Sequence, residues 1–126
     1  MTISRRQARR QALFLLYQWD LSGHEIGSQF AEEIDPWARG IAEAVSERAG
    51  ELDTRITAAA EGWTADRLGA VERSALRVAV HELETHEVPA EVAISEAVAF
   101  TKRYASEDGA RLVNGILGRI QREEAA

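Results

Sequence analysis

The residues best suited to binding chemistry are four arginines among the first ten residues, namely Arg5, Arg6, Arg9 and Arg10. No acidic residue lies in that segment, although the chain of 126 residues carries a formal net charge of -6. A basic cluster on an acidic protein is typical of a surface that binds a polyanion. A solvated end that only keeps the protein soluble is the simpler alternative. We therefore expect nucleic acid as the first partner to test.

Aromatic side chains accompany the basic residues at both ends of the chain. At about 100° per residue, Tyr17 falls on the same helical stripe as Arg6 and Arg10, and near the other end Lys102 is followed closely by Tyr104. A ring beside cationic groups is suited to stacking an RNA base while the cations bind phosphates. From its spacing alone, Tyr17 fits a core position equally well. The two ends form one surface only if the fold makes them neighbours.

Residues for catalysis or metal binding are not evident. The chain has no cysteine, which excludes disulfides, thiolate zinc sites and cysteine nucleophiles. His81 and His86 are five residues apart and miss the i, i+4 spacing of a metalloprotease helix. Neither a phosphate-binding glycine loop nor a nucleophile motif is present, and no pair of carboxylates is distinguished as an acid and a base. We expect no enzymatic activity, no metal and no cofactor.

The composition predicts a single all-α domain over residues 1–126. Only two prolines occur, and helix-forming residues dominate. The length suits one hydrophobic core. No apolar run approaches the roughly 18 residues of a membrane span, and no signal-type cleavage site follows the N-terminal arginines. We expect a cytoplasmic protein without membrane contact.

Capping signals predict where the first helices begin. The Ser4 hydroxyl can form a capping box with Gln7, and the first helix then runs to a polar connection over residues 23–34. Asp35 followed by Pro36 predicts the start of the second helix, because a carboxylate caps free amides and proline lacks one.

Later boundaries follow from breaks in the apolar stripe. Gly50 is expected to separate the second and third helices, and the third should end near Gly62. Thr64 can cap a short helix that carries Leu68. An apolar helix over residues 71–83 should be the best-buried element. The last two helices are expected at about 91–104 and 107–122, the latter capped by Ser106.

Two glycines interrupt the last helix, Gly115 and Gly118. Each costs about 1 kcal/mol relative to alanine inside a helix. We expect close helix packing to compensate for that cost.

Three segments of the chain resemble the NusB family of bacterial transcription antitermination proteins. They are RRQARRQALFLLYQWDLSG, RLGAVERSALRVAVHEL and VPAEVAISEAVAFTKRYASEDGARLVNGILGRI, in the order found in the family. Together they cover about two-thirds of the chain, and VNGIL close after ED is the most specific element. The resemblance implies an all-α fold of about seven helices in two small bundles that share the first helix.

The resemblance also implies a function. Family members bind the boxA segment of nascent ribosomal RNA leader transcripts jointly with the ribosomal protein NusE. That complex joins RNA polymerase with NusA and NusG and suppresses premature termination.

Family positions transfer to this chain residue by residue. The arginine-rich start and its aromatic match the first helix, and a basic-aromatic pair with an acidic turn matches the region near the other end. The RNA-binding residues implied by the family pattern are Arg5, Arg6, Arg9, Tyr17, Lys102, Tyr104 and Asp108, and we add Arg10 from the same basic cluster. The implied NusE-binding residues are Glu72, supported by Arg73 and Arg77. Arg10 adds charge where some relatives have an acid, and Leu112 replaces an aromatic of some relatives.

Two other functions are compatible with the same residues. The first is a NusB-like N-terminal domain of an RNA cytosine methyltransferase; the chain to Ala126 contains no catalytic domain, so we expect the antitermination function instead. The second is a self-associating helical module, in which a homodimer blocks the RNA surface.

Overall fold

A computed structural model describes residues 3–28, 30 and 32–125, and the regular secondary structure of this part of the chain is helical, without strands. None of its helices is long and apolar enough to cross a membrane. The all-α prediction with about seven helices is confirmed. The elements are α1 (Arg5–Ser22), α2 (Pro36–Glu47), α3 (Ala49–Ala59), a 3₁₀ helix (Ala65–Arg67), α4 (Ala70–Thr85), α5 (Ala90–Tyr104) and α6 (Glu107–Ala125).

Three of the four predicted capping residues begin their helices as expected. Ser4 and Gln7 form the capping box, with each side chain accepting a hydrogen bond from the backbone amide of the other residue at 3.1 and 2.9 Å. The Asp35 carboxylate accepts two amide hydrogen bonds from the first turn of α2, at 3.0 and 3.1 Å. The Ser106 hydroxyl accepts one from the first turn of α6 at 2.9 Å. These bonds satisfy amides that a helix start leaves without intrahelical partners.

Two predicted boundaries are displaced. The break between α2 and α3 falls at Arg48, while Gly50 lies inside the first turn of α3. Arg48 is held at this break because its guanidinium donates to Glu51 at 2.6 Å. The third helix ends at Ala59, earlier than predicted. Thr64 precedes the 3₁₀ helix without a side-chain cap.

Helix α4 is the centre of the fold and contacts each of the other five α-helices. Its residues 74–83 are all buried, which confirms that it is the best-buried element. α1 packs on α2 and α4, whereas α5 and α6 pack on each other and on α4. Phe14 of α1 also contacts two aromatic rings of α5. α1 therefore contacts both the group that contains α2 and the group formed by α5 and α6, as the resemblance implies.

The glycines of α6 have roles that differ from the prediction. Gly115 is exposed, and a Cβ added there would meet no heavy atom within 4 Å, so the expectation of close helix packing is wrong at this position. At Gly118 a Cβ would meet only the Arg122 side chain within 4 Å. The close approach occurs instead at Gly109, where a Cβ would lie 3.0 Å from a carboxylate oxygen of Glu72.

We predict opposite effects of alanine at two of these helical glycines. Gly115→Ala should raise the free energy of unfolding by about 0.5–1 kcal/mol, because alanine loses less backbone entropy and meets no neighbour. Gly109→Ala should lower it, because the new methyl group displaces the Glu72 carboxylate and the Ser106 hydroxyl that caps α6. Urea denaturation of both variants tests this pair, and an equal gain at both positions would contradict it.

Candidate nucleic-acid interface

Arg9 is buried in an ion pair that joins α1 to α4. Its side chain is 5% exposed and that of its partner Glu82 is 1% exposed. Arg9 Nε donates to both carboxylate oxygens at 3.1 Å, and Nη2 donates to Oε2 at 2.9 Å. The prediction that Arg9 contacts RNA phosphates therefore needs correction, because its donors are directed into the core. Its role is to hold the start of α1 against α4.

The environment of Glu82 makes this pair sensitive to pH. Burial raises the pKa of Glu82, and the hydrogen bonds from Arg9 oppose that rise without cancelling it. A carboxyl whose pKa is raised by folding favours the folded state most below its ordinary pKa. That contribution is lost as the pH rises through the raised pKa.

The two basic ends of the chain meet in a groove between α1 and α5. We call it the α1–α5 groove; it is lined by Arg6, Arg9, Arg10, Leu13, Glu96, Ala99, Phe100, Arg103 and Tyr104. Arg6 lies at one end, where its Nε donates to Glu96 Oε1 at 3.0 Å. Arg10 is exposed, and no carboxylate pairs with it among the described residues. Tyr104 therefore lies in one groove with Arg6 and Arg10, as the single-surface prediction required, whereas Lys102 does not line this groove.

An aromatic cluster supports the other end of this groove. The Tyr104 ring lies 4.9 Å from the rings of both Phe14 and Phe100, measured between centroids. These contacts hold the ring from behind, and Tyr104 remains 37% exposed. The Arg103 guanidinium carbon lies 5.4 Å from the Tyr104 ring centroid. A partly exposed ring beside a guanidinium group is a suitable platform for an RNA base.

Four of the predicted RNA residues lie outside the α1–α5 groove. Arg5 is on the side of α1 that faces α2, where its guanidinium carbon lies 4.3 Å from the Trp37 ring centroid. Tyr17 is half-buried, one turn beyond the aromatic cluster on α1. Lys102 lines a separate groove between α5 and α6, where its Nζ lies 3.9 Å from Glu107 Oε1. Asp108 is exposed in the first turn of α6 and pairs with Arg111. Lys102 and Asp108 therefore belong to an adjoining face around the α5–α6 turn.

Arg103 is not among the predicted RNA residues, although the sequence contains a signal for it. It follows Glu96 by seven residues and Phe100 by three, which places all three on one face of a helix. From this basic group the sequence predicts only Lys102 and Tyr104 as RNA residues. Since the structure places Arg103 in the α1–α5 groove, we add it to the candidate RNA residues.

Arg73 and Arg77 are engaged in an ion-pair network that joins α1, α3 and α4. Both guanidinium groups donate to Asp20, and Arg77 also donates to Asp53 at 2.8 and 2.6 Å. Arg73 further donates to two carbonyl oxygens of the connection between α3 and α4, at 3.1 and 2.6 Å. The Arg77 side chain is only 7% exposed. This placement corrects their assignment to NusE, because their donors hold the bundle together.

Glu72 remains available as a partner residue. It is half-buried in the first turn of α4, and its carboxylate lies against Gly69 and Gly109, at the N-terminal ends of α4 and α6. A carboxylate is favoured there by the dipoles of both helices. No ion pair of Glu72 is present among the residues that the structure describes. Its charge therefore lies at two helix starts with no cation paired to it in the described part of the chain.

The chemistry of these surfaces is that of anion binding and stacking. The α1–α5 groove combines three exposed arginines and one tyrosine ring with a single carboxylate, Glu96. Within the described ranges, no three His, Cys, Asp or Glu side chains are grouped so that they could hold a metal ion. The arrangement suits a nucleic-acid backbone with at least one unstacked base.

The fold and the groove define a small all-helical protein with a basic and aromatic surface. The profile of the NusB family matches residues 6–122. The chain belongs to the NusB family.

Relatives and solved structures agree with this membership. The transcription antitermination protein NusB of Salinispora tropica is 39% identical over 128 residues, covering 93% of this chain and 94% of the relative. That of Solibacter usitatus is 34% identical over 131 residues, covering 95% and 90%. The structure of T. maritima NusB superposes with a TM-score of 0.85 at 32% identity, covering 98% of this chain and 94% of that one. A structure of the antitermination factors NusB and NusE with double-stranded RNA has a TM-score of 0.82 at 29% identity, covering 94% and 96%.

We predict that Arg9→Met destabilises the protein by about 3–5 kcal/mol at pH 7, because it leaves the Glu82 charge buried and unpaired. The double variant Arg9→Met/Glu82→Leu should recover most of the loss. In the single variant the deficit should shrink as the pH falls towards 5, since protonation removes the buried charge. Urea denaturation at several pH values measures these differences.

Arg6→Met is the matched control for this series. Arg6 is exposed and its pair with Glu96 lies at the surface, so we expect a change of about 0–1 kcal/mol. A loss in Arg9→Met no larger than that of Arg6→Met, or a double variant less stable than the single one, would show that the buried pair does not act as described.

Proposed function

We propose that this chain is a non-catalytic antitermination factor that binds a boxA-type segment of nascent ribosomal RNA together with NusE. In the cytoplasm, this complex joins RNA polymerase with NusA and NusG. The observation that carries the proposal is the α1–α5 groove, which is lined by the arginines Arg6, Arg10 and Arg103 together with the partly exposed ring of Tyr104. Family membership and the related structure of NusB and NusE with RNA support it.

Each side chain of the groove has a distinct task in this proposal. Arg10 and Arg103 are exposed guanidinium groups and neutralise phosphates of the RNA strand. Arg6 exchanges its surface pair with Glu96 for a phosphate, an exchange of low cost because exposed ion pairs contribute little. Tyr104 stacks on a base and supplies the part of binding that depends on RNA conformation.

The RNA path continues from this groove towards the α5–α6 turn. Tyr17 lies one turn beyond the aromatic cluster, and Lys102 and Asp108 flank the turn itself. Lys102 offers a further phosphate contact. Asp108 is exposed, and its carboxylate can accept a hydrogen bond from a base edge.

Glu72 is the proposed contact with NusE. Its carboxylate lies between the starts of α4 and α6, so it places a negative charge at the point where these two helices begin. A cationic side chain of NusE fits such a site. Binding of NusE next to the RNA surface would raise RNA affinity by adding its own contacts.

The self-associating alternative makes a different prediction in solution. A homodimer that blocks the groove should persist when boxA RNA and NusE are added. Under the proposed function, light scattering should detect a complex of the chain with both ligands. A dimer whose mass neither ligand changes would favour self-association.

We predict that loss of a groove arginine weakens RNA binding through the phosphates. Arg6→Ala and Arg10→Ala should lower the affinity for boxA RNA and for a scrambled RNA by similar factors. Each should flatten the slope of log K against log salt by about 0.7–1, since one phosphate contact is lost. Fluorescence anisotropy with labelled RNA across a salt series measures both quantities.

Two further variants separate charge from stacking. Glu96→Gln should strengthen binding, because it removes a negative charge from the groove. Tyr104→Ala should leave the salt slope unchanged and weaken the discrimination between boxA and scrambled RNA. If all four of these variants of the groove bind RNA as the unaltered chain does at every salt concentration, the proposed RNA surface is wrong.

We predict that Glu72→Gln weakens NusE binding while RNA binding by the chain alone stays as it was. The amide keeps the shape of the carboxylate and removes its charge, so loss of a charge-assisted contact is the expected cause. Calorimetric titration with NusE measures the change. Glu47→Gln, an exposed acid at the end of α2, is the matched control. Equal affinities of Glu72→Gln and the unaltered chain would remove Glu72 from the interface.

A further inference from the structure

The start of α2 is held against α1 by one glutamine side chain. Gln11 of α1 donates from Nε2 to the carbonyl oxygen of Glu33 at 3.0 Å and accepts from the amide of Asp35 at 2.7 Å. Asp35 in turn caps the first turn of α2, including the amide of Trp37 at 3.0 Å. The position of Trp37 beside α1 is therefore fixed by a chain of hydrogen bonds.

Trp37 carries two guanidinium groups of α1 on its indole ring. The guanidinium carbon of Arg5 lies 4.3 Å from the ring centroid, and that of Arg9 lies 5.7 Å from it. Arg9 is fixed in the core by Glu82, whereas Arg5 is exposed. Among the described residues no carboxylate pairs with Arg5. The contact that the structure gives for the Arg5 guanidinium group is its cation–π contact with the Trp37 indole.

Stability does not account for the Arg5–Trp37 contact. An exposed cation–π pair contributes only about 0.5–1 kcal/mol. An arginine in the first turn of a helix opposes the helix dipole at a cost of a few tenths to about 1 kcal/mol. The two effects nearly cancel, yet the Arg5 guanidinium group is held over the ring at the surface, 4.3 Å from its centroid. A guanidinium group held in this way is suited to stacking a nucleotide base.

We propose that Trp37 is a positioning residue for RNA, which holds the Arg5 guanidinium as a stacking plane for a second base. This inference rests on the proposed RNA-binding function. Arg5 and Tyr104 lie on opposite sides of α1, whose diameter with side chains is about 10–12 Å. A single strand that crosses the start of α1 contacts Tyr104 on one side and Arg5 on the other, with Arg6 and Arg10 between them.

The decisive variant is Arg5→Lys, because lysine keeps the charge and removes the plane. Its affinity for single-stranded boxA RNA should fall about five- to tenfold with an unchanged salt slope. Trp37→Leu should cause a similar loss, and Trp37→Phe should restore binding to within about twofold. The double variant Arg5→Lys/Trp37→Leu should bind RNA no more weakly than either single variant, since the two substitutions remove the same contact with RNA.

Controls distinguish this inference from the proposed function. Trp63→Leu changes a tryptophan that is 48% exposed on the connection between α3 and α4, and it should bind RNA normally. If Arg10→Ala weakens RNA binding and Arg5→Lys does not, the proposed RNA surface is supported and the proposed role of Trp37 is wrong. If neither variant changes RNA binding, both the RNA surface and the role of Trp37 are wrong. Because Arg5→Lys alters an exposed side chain, this outcome stays decisive even if Trp37→Leu fails to fold.

Fluorescence supplies a readout that altered stability would not produce. In the variant Trp19→Phe/Trp63→Phe, Trp37 is the sole tryptophan of the chain. RNA binding should change its emission, and Arg5→Lys in the same background should alter the size of that change. Emission that is identical with and without saturating RNA would overturn the proposal.

Discussion

The buried ion pair of Arg9 and Glu82 sets the orientation of α1, and the candidate RNA surface depends on that orientation. Two charges out of water are tolerated only when they meet in close geometry with their donors and acceptors satisfied. The pair therefore fixes the rotation of α1 about its axis against α4. With Arg9 turned inwards, Arg6 and Arg10 face α5 and Arg5 faces α2. The buried Arg9 thus determines which way the three exposed arginines of the cluster face.

Further ion pairs fasten α4 to its neighbours. Arg48 of the α2–α3 break and Arg55 of α3 both donate to Glu84, and Arg55 also donates to Glu124 of α6. Burial acts to raise the pKa of Glu84, but the hydrogen bonds from both arginines lower it overall. A lowered pKa contributes stability above the ordinary value, and that stability is lost as the pH falls through the lowered pKa. Such pairs define which helices meet and need not make the fold more stable than an apolar core would.

The sequence predicted well those features whose partners are close along the chain. The capping box of Ser4 and Gln7 and the cap at Asp35 involve residues within three positions of each other. The burial of Arg9 depends on a partner 73 residues away, which local patterns do not identify. A partial signal existed, because at about 100° per residue Arg9 falls between Leu13 and Leu16, both of which are buried.

Other features could not be predicted because the information lies in tertiary contacts. Trp37 reaches Arg5 only because Gln11 holds the residues before α2 against α1, across a connection without helical periodicity. Close helix packing was expected to compensate for the free-energy cost of Gly115 in α6. The close approach is instead at Gly109, against which the Glu72 carboxylate of α4 lies. In both cases the partner comes from a different helix.

The four arginines of the first helix differ in how firmly each is held. Arg9 is buried against Glu82, Arg6 pairs with Glu96 at the surface, and Arg5 rests on Trp37. Arg10 has no carboxylate partner among the described residues. An anion that approaches α1 therefore meets the unpaired charge of Arg10 and the charge of Arg6, whose surface pair with Glu96 is broken at low cost. It also meets the Arg5 guanidinium group, which rests on the Trp37 ring. A cluster that the sequence shows as four equivalent charges becomes, in three dimensions, a graded site with a different role for each arginine.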